Sequence, residues 1–141
     1  MAEETRVISI VVAKRFEFRA RLEEALAPNT CAAFRTLLPY SQRLIHARWS
    51  GEACWIPLGD FDLGVREENA TSRPDPGCIV WYPGGISETE LLFPYGVSRF
   101  ASKEGELAGN HFLTVTEGRE QLAELGRVVL YEGAQDIVFR A

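Results

Sequence analysis

The chain has 141 residues, of which 46% are hydrophobic and 25% charged, and a formal net charge of −5, with a pI near 5.1 and a mean hydropathy of −0.09. These values fit one soluble domain, residues 1–141, long enough to bury a full core, and exclude a disordered segment. The acidic balance excludes a general attraction to nucleic acid or anionic lipid; the start M-A-E-E-T-R, with no apolar run near the ~18 residues of a membrane span, gives neither leader nor anchor, so a cytoplasmic protein is expected.

Val7 to Val12 is a continuous apolar run, the pattern of a strand buried on both faces or lying under a helix. Phe16, Phe18, Ala20 and Leu22 then alternate with Glu17, Arg19 and Arg21, so a half-wet strand follows, joined to the first through Ala13, Lys14 and Arg15. Pro28, Asn29 and Thr30 signal a helix start, with Asn or Thr as the cap. Cys31, Phe34, Leu37 and Leu38 make its apolar stripe, and Pro39 stops it.

Ser41 to Trp49 reads as a strand, Ser50 to Glu52 as a turn and Ala53 to Ile56 as the returning strand. An acidic loop, Gly59 to Asn69, and the rigid turn Arg73 to Gly77 lead into the stretch densest in large side chains, Gly77 to Tyr95. Its two apolar runs, Cys78 to Tyr82 and Leu91 to Phe93, flank Pro83-Gly84-Gly85 and predict a central hairpin. Strands are expected at Val97 to Phe100 and Asn110 to Val115. A second helix is expected over Glu117 to Leu125, ended by Gly126, and a closing hairpin from Val128 to Tyr131 and Ile137 to Phe139. Eight or nine short strands and two short helices predict an all-β-dominated fold, a closed barrel or compact sandwich. Cys31, Cys54 and Cys78, odd in number and without a C-x-x-C, are expected as buried free thiols.

Two stretches resemble the cyclophilin superfamily. Ala27-Pro28-Asn29-Thr30-Cys31-Ala32-Ala33-Phe34 resembles the A-P-x-T-x-x-x-F entry to its first helix, and Phe112-Leu113-Thr114-Val115-Thr116-Glu117-Gly118 its F-G-x-V-x-E-G strand. More narrowly, Glu68 through Pro83-Gly84-Gly85 and Asn110-His111-Phe112 resemble uncharacterised bacterial cyclophilin-like proteins of this length. The resemblance implies a closed barrel of about eight strands with two short helices. It does not carry over the prolyl isomerase site. The family's F-H-R-I-I-P-x-F-x-x-Q-G-G-D strand corresponds here to the segment from Ile45 to Asp60, which keeps the final Gly59-Asp60 and a nearby Arg and lacks the Gln. The family's pocket Trp and His fall on Glu104 and Gly109.

The residues offer several candidates. His46 and His111 would serve as bases near neutral pH, and no H-x-H or H-E-x-x-H spacing accompanies them, so no metal is expected. Arg43, Arg48 and Arg99 would clamp a substrate carboxylate, and Arg99, beside Tyr95, Gly96 and Phe100, has the most aromatic setting. Trp49, Trp55, Trp81, Tyr82 and Tyr95 would line a pocket or an oligomer interface, with Trp81 in the core and Tyr82 and Tyr95 nearer the rim. The acids Glu67 and Glu68 with Asn69 face either a pocket mouth or solvent. Asn110-His111 opens a strand, so one side chain points in and one out.

Three functional readings stay open. The first is a small polar or anionic metabolite bound by His46, Arg99, Tyr95, Asn110 and His111, with no cofactor. The second is a prolyl isomerase rebuilt on Arg48 or Arg43. The third is a structural or regulatory homo-oligomer subunit.

Overall fold

The computed structural model describes residues 6–141; the acidic M-A-E-E-T start lies outside the described residues. Thirteen elements follow in order: β1 (Val7–Val12), β2 (Phe16–Leu22), α1 (Pro28–Arg35), β3 (Tyr40–His46), β4 (Gly51–Pro57), β5 (Ala70–Thr71), β6 (Cys78–Tyr82), β7 (Glu90–Ser98), β8 (Ala101–Ser102), β9 (Gly105–Glu106), β10 (Gly109–Glu117), α2 (Leu122–Glu132) and β11 (Gln135–Arg140). Eight of the strands close on themselves in the order β2-β1-β11-β3-β4-β7-β6-β10, with β10 returning to β2, and every pair is antiparallel. The short β5 extends β10 at its edge, and β8 and β9 form a separate two-stranded flap.

Closure removes the sheet edges and sends alternate side chains into one interior. In β2 the alternation is clean, and Phe16, Phe18, Ala20 and Leu22 are buried while Glu17, Arg19 and Arg21 face water. β1 is one-sided as well. Ile8, Ile10 and Val12 point inward and Val7 is 41% exposed, so the continuous apolar run does not mark a strand covered on both faces. In the central hairpin Val80, Trp81 and Tyr82 pair with Leu92, Leu91 and Glu90. Ile79, Trp81, Leu91 and Phe93 fill the barrel, whereas Val80, Tyr82 and Leu92 join Ala47, Ala53, Phe100 and Leu107 in a second apolar cluster. Alternation places that second cluster on the outer face of β4, β7 and β6, beneath the segment that carries the β8–β9 flap.

The helices close opposite ends of the barrel. Phe34 of α1 meets Tyr40, Trp81, Phe112 and Phe139 edge-on. α2 packs on β3, β4 and β7. The cap of α1 differs from the sequence reading, since neither Asn29 nor Thr30 caps it and Ala27 at the N-cap makes no side-chain bond. Instead Glu68, from the loop after β4, accepts from the Thr30 amide at 2.6 Å and the Thr30 hydroxyl at 2.7 Å. A carboxylate is favoured there because helix N-terminal amides lack internal partners.

The second helix also corrects the sequence reading. It begins later, at Leu122 after a 3-10 turn at Arg119–Gln121, and it runs through Gly126 to include Val128 to Tyr131. The closing hairpin therefore does not form, and β11 pairs with β1 and β3 instead. Leu122, Leu125, Val128 and Val129 recur at helical spacing, and burying that stripe outweighs the strand preference of paired valines. Gly126 sits mid-helix because the Tyr95 ring occupies the place of a side chain, and a Cβ there would lie 2.2 Å from Tyr95 Cε1.

Candidate ligand-binding site

The sequence-derived candidates fall in separate places. His46 and Tyr95 meet beneath α2, with Nε2 of the imidazole 2.8 Å from the tyrosine hydroxyl and Nδ1 buried without a partner. Burial, and then the charge of Arg48, holds His46 below the usual histidine range, and burial raises Tyr95. Arg43 is exposed and tied to Asp136 at 2.8 Å and to the Ala134 carbonyl at 3.1 Å. Arg99 lies at the base of the flap, exposed and paired with Glu106 at 2.7 Å. Its hydrogen bond is to Glu106, not to His46 or His111.

Asn110 and His111 point to opposite sides of β10, as alternation requires. Asn110 is fully buried, with Oδ1 accepting from the Glu68 amide at 3.1 Å and Nδ2 donating to Thr30 Oγ1 at 3.1 Å and the Arg66 carbonyl at 2.8 Å. Every polar atom of its side chain is used. Glu68, the sequence's pocket-mouth candidate, belongs to the same network. His111 faces outward beside Thr114, whose hydroxyl donates to Glu23 at 2.5 Å and so accepts from His111 Nε2 at 2.8 Å. Burial pushes Glu23 up, but bonds from Thr114 and Arg21 outweigh it and hold the carboxyl below its ordinary range. Burial lowers His111, opposed by the Glu23 charge.

Three strands separate His46 on β3 from His111 on β10. None of the three pockets described below gathers the residues expected to share one.

A cleft of about 760 Å³ lies elsewhere, on the outer face of β4 and β7 under the flap. Trp49 and Trp55 form one wall, edge to face at 4.9 Å between ring centroids. Gly85, Ile86 and Ser87 form another, held by Tyr82, whose hydroxyl accepts from the Ile86 amide at 3.0 Å. Tyr82 is therefore buried, only 6% exposed, and supports the wall rather than standing at the rim. Glu88, Lys103 and Glu104 complete the lining with Glu90.

Glu90 was not among the sequence candidates. It begins β7 opposite Pro57 and Tyr82, on the outward-pointing side shared with Leu92, and is 2% exposed. Its Oε1 and the Trp55 Nε1 are both buried and unpartnered. Burial, and then the nearby Glu88 charge, pushes its carboxyl up to about 8. A faint signal was present, since the alternation Glu88, Glu90, Leu92 puts an acid in line with a buried leucine.

A second opening of about 610 Å³ shares Gly85 and Ile86 with the first, and a third of about 160 Å³ is lined by His111, Cys78 and Asp75. Cys31 and Cys54 are buried and pushed up to about 12 by burial, and Cys78 is raised for the same reason. These thiols are inert near neutral pH. Among the described residues no group of three or more His, Cys, Asp or Glu is placed to hold a metal ion, and no helix is long and apolar enough to cross a membrane.

A closed eight-stranded antiparallel barrel capped by two short helices is the cyclophilin-like fold, and a cyclophilin-type peptidyl-prolyl cis-trans isomerase of Cryptosporidium parvum matches with a TM-score of 0.55 at 12% identity, over 96% of this chain and 98% of that one. Over residues 8–141 the chain belongs to the protein family of unknown function DUF3830. McbB in complex with tryptophan is similar, with a TM-score of 0.67 and 20% identity over 94% of this chain; the chain spans only 44% of McbB. A hypothetical protein of Archaeoglobus fulgidus matches along 99% of this chain and 98% of its own, with a TM-score of 0.60 and 17% identity. No curated protein matches the chain in sequence. At these identities the likeness is one of fold.

Proposed function

We propose that the chain binds a small, flat, amine-bearing metabolite in the cleft under the flap, and that this, rather than standard prolyl isomerisation, is its role. The observation that carries the reading is the pair of orphaned polar atoms, Glu90 Oε1 and Trp55 Nε1, buried in residues that line one cleft. Buried polar groups are nearly always bonded, and two left open beside one cavity are accounted for by a ligand that completes them. Trp49, 51% exposed, offers an aromatic face for a flat or cationic group. Glu88, Glu90 and Glu104 against the single Lys103 favour a cation over an anion, so the polar side of the sequence expectation fits the cleft better than the anionic side. Tryptophan, the molecule held by McbB, is itself flat and amine-bearing, which makes indole amines suitable first probes.

Isothermal titration with tryptamine, and with indole acetate as its anionic counterpart, tests the reading. Tryptamine is expected to bind and indole acetate to give no heat, and Trp49→Ala should lose the tryptamine signal. Because the ionised carboxylate is the binding form, tryptamine affinity should rise by about 50-fold between about pH 6 and pH 8, as Glu90 ionises. Absence of binding by both probes, or tighter binding of indole acetate, removes the proposal. Isomerisation through Arg43 or Arg48 has less support, since Arg43 is already committed to Asp136 and Ala134.

A further inference from the structure

We infer that Glu90 is a general base, taking a proton from a flat substrate held against Trp49 and Trp55. This rests on the proposed binding role of the cleft and adds a reaction to it. A carboxylate that only anchors an amine needs charge alone, and would be served as well by an exposed acid such as Glu104. Glu90 has three features an anchor does not require.

It is withdrawn from water, 2% exposed, so its ionised form is poorly solvated and correspondingly basic. It has no structural counter-ion. No hydrogen bond satisfies Oε1, and the ion pairs of the described residues, among them Arg99 with Glu106 and Arg127 with Glu124, leave it out. The other acids bound into the fold are all committed, Glu68 to Thr30 and Glu23 to Thr114 and Arg21.

Its position is also fixed. Glu90 lies on a paired strand between Pro57 of β4 and Tyr82 of β6, one diagonal step from Trp55, which pairs with Leu92. Strand-borne groups are held more tightly than loop-borne ones, and the Trp49–Trp55 pair supplies a flat wall that would orient a planar substrate against the carboxylate. Burial also sets the carboxyl at about 8, near the pH at which a base is most effective.

The probe is nitrobenzisoxazole, a planar heteroaromatic that reports proton abstraction directly. The Glu90 carboxylate takes the proton from the ring C–H; that bonding pair becomes part of the nitrile, the N–O bond breaks, and its electrons leave on the phenolate oxygen. The carboxylic acid then returns its proton to water, and the coloured cyanonitrophenolate is followed by absorbance.

The full chain should show saturable turnover, with kcat/KM rising with pH and levelling above about pH 8. Glu90→Gln should lose about a hundredfold to ten-thousandfold of kcat/KM. That isosteric variant removes a desolvated acid and is expected to fold, which circular dichroism checks. Trp49→Ala should raise KM far more than it lowers kcat. A wild-type rate no greater than that of free acetate at equal concentration, or full activity in Glu90→Gln, overturns the inference. If tryptamine binds in those cases the cleft remains a binding site without a base; if tryptamine fails to bind, the binding proposal falls separately.

Discussion

Asn110 and Glu90 are both polar, both on barrel strands and both withdrawn from solvent, and the chain treats them oppositely. Asn110 is bonded at every polar atom, to Thr30, Arg66 and Glu68, so its burial fixes α1 and the loop after β4 in one geometry. Glu90 keeps an oxygen with no partner and opens on a cleft. An unmet buried group costs free energy in the empty protein, whereas a bonded one adds a small net gain. The difference separates a polar group retained for structure from one retained at a cost that a bound molecule can offset.

The largest effect is expected from closing the open side. The folded protein holds the Glu90 carboxyl raised to about 8 against an unfolded value near 4.5, so it binds more protons than the unfolded chain across that window. Wild-type stability therefore falls as pH rises from about 4.5 to 8, by about 1.4 kcal/mol per unit at most. Glu90→Gln has no such loss, and its advantage in urea unfolding should grow over the same window to on the order of 5 kcal/mol and then level off. A constant difference at all pH values would show that Glu90 is solvated.

Opening the closed side should act in the other direction. Asn110→Ala leaves the Arg66 carbonyl and the Glu68 amide without their partners, and a loss of about 3 kcal/mol is expected, independent of pH near neutrality. A loss under about 1 kcal/mol would mean that water replaces the amide.

Gly126→Ala should cost about 1–3 kcal/mol, because a Cβ cannot share space with the Tyr95 ring, and this exceeds the roughly 1 kcal/mol that alanine gains in a helix. The same variant should displace Tyr95 from His46, which the imidazole ring resonances would register by NMR as the loss of that hydrogen bond. Arg99→Ala, at an exposed ion pair, should change stability by less than about 0.5 kcal/mol and leave tryptamine binding unaltered.

The barrel was legible because its signals are local. Alternation in Phe16 to Leu22, the glycine-proline break after Tyr82 and the two cyclophilin-like motifs each describe a neighbourhood of a few residues. The second helix was misread for the opposite reason, since Gly126 looks like a terminator until Tyr95, 31 positions earlier, is known to fill its place. Trp49 and Trp55 were recognisable as pocket aromatics from their type. Glu90 was not, because an acid in the sequence Ser87-Glu88-Thr89-Glu90 reads as wet loop. What dries it is the outer apolar cluster, in which Phe100 and Leu107 fold back over Val80 and Leu92. His46, Arg99 and His111 were grouped by type and by their places around the central hairpin, and neither carries information about which side of a barrel a residue faces.

The bond from Glu68 to the start of α1 also sets where this chain tolerates change in length. The stretch between β4 and β5 has no regular structure, and by that measure would be the natural place for insertions. Its two halves differ. Gly64 is exposed, and a side chain added there would meet open space, so extra residues at that point would extend into solvent. Between Arg66 and Asn69 three residues are anchored, by the Arg66 carbonyl to Asn110, by Glu68 to Thr30 and by Asn69 to the His111 carbonyl. One residue added there would shift the carboxylate off the helix terminus and uncap a helix that lies 38 positions earlier in the chain.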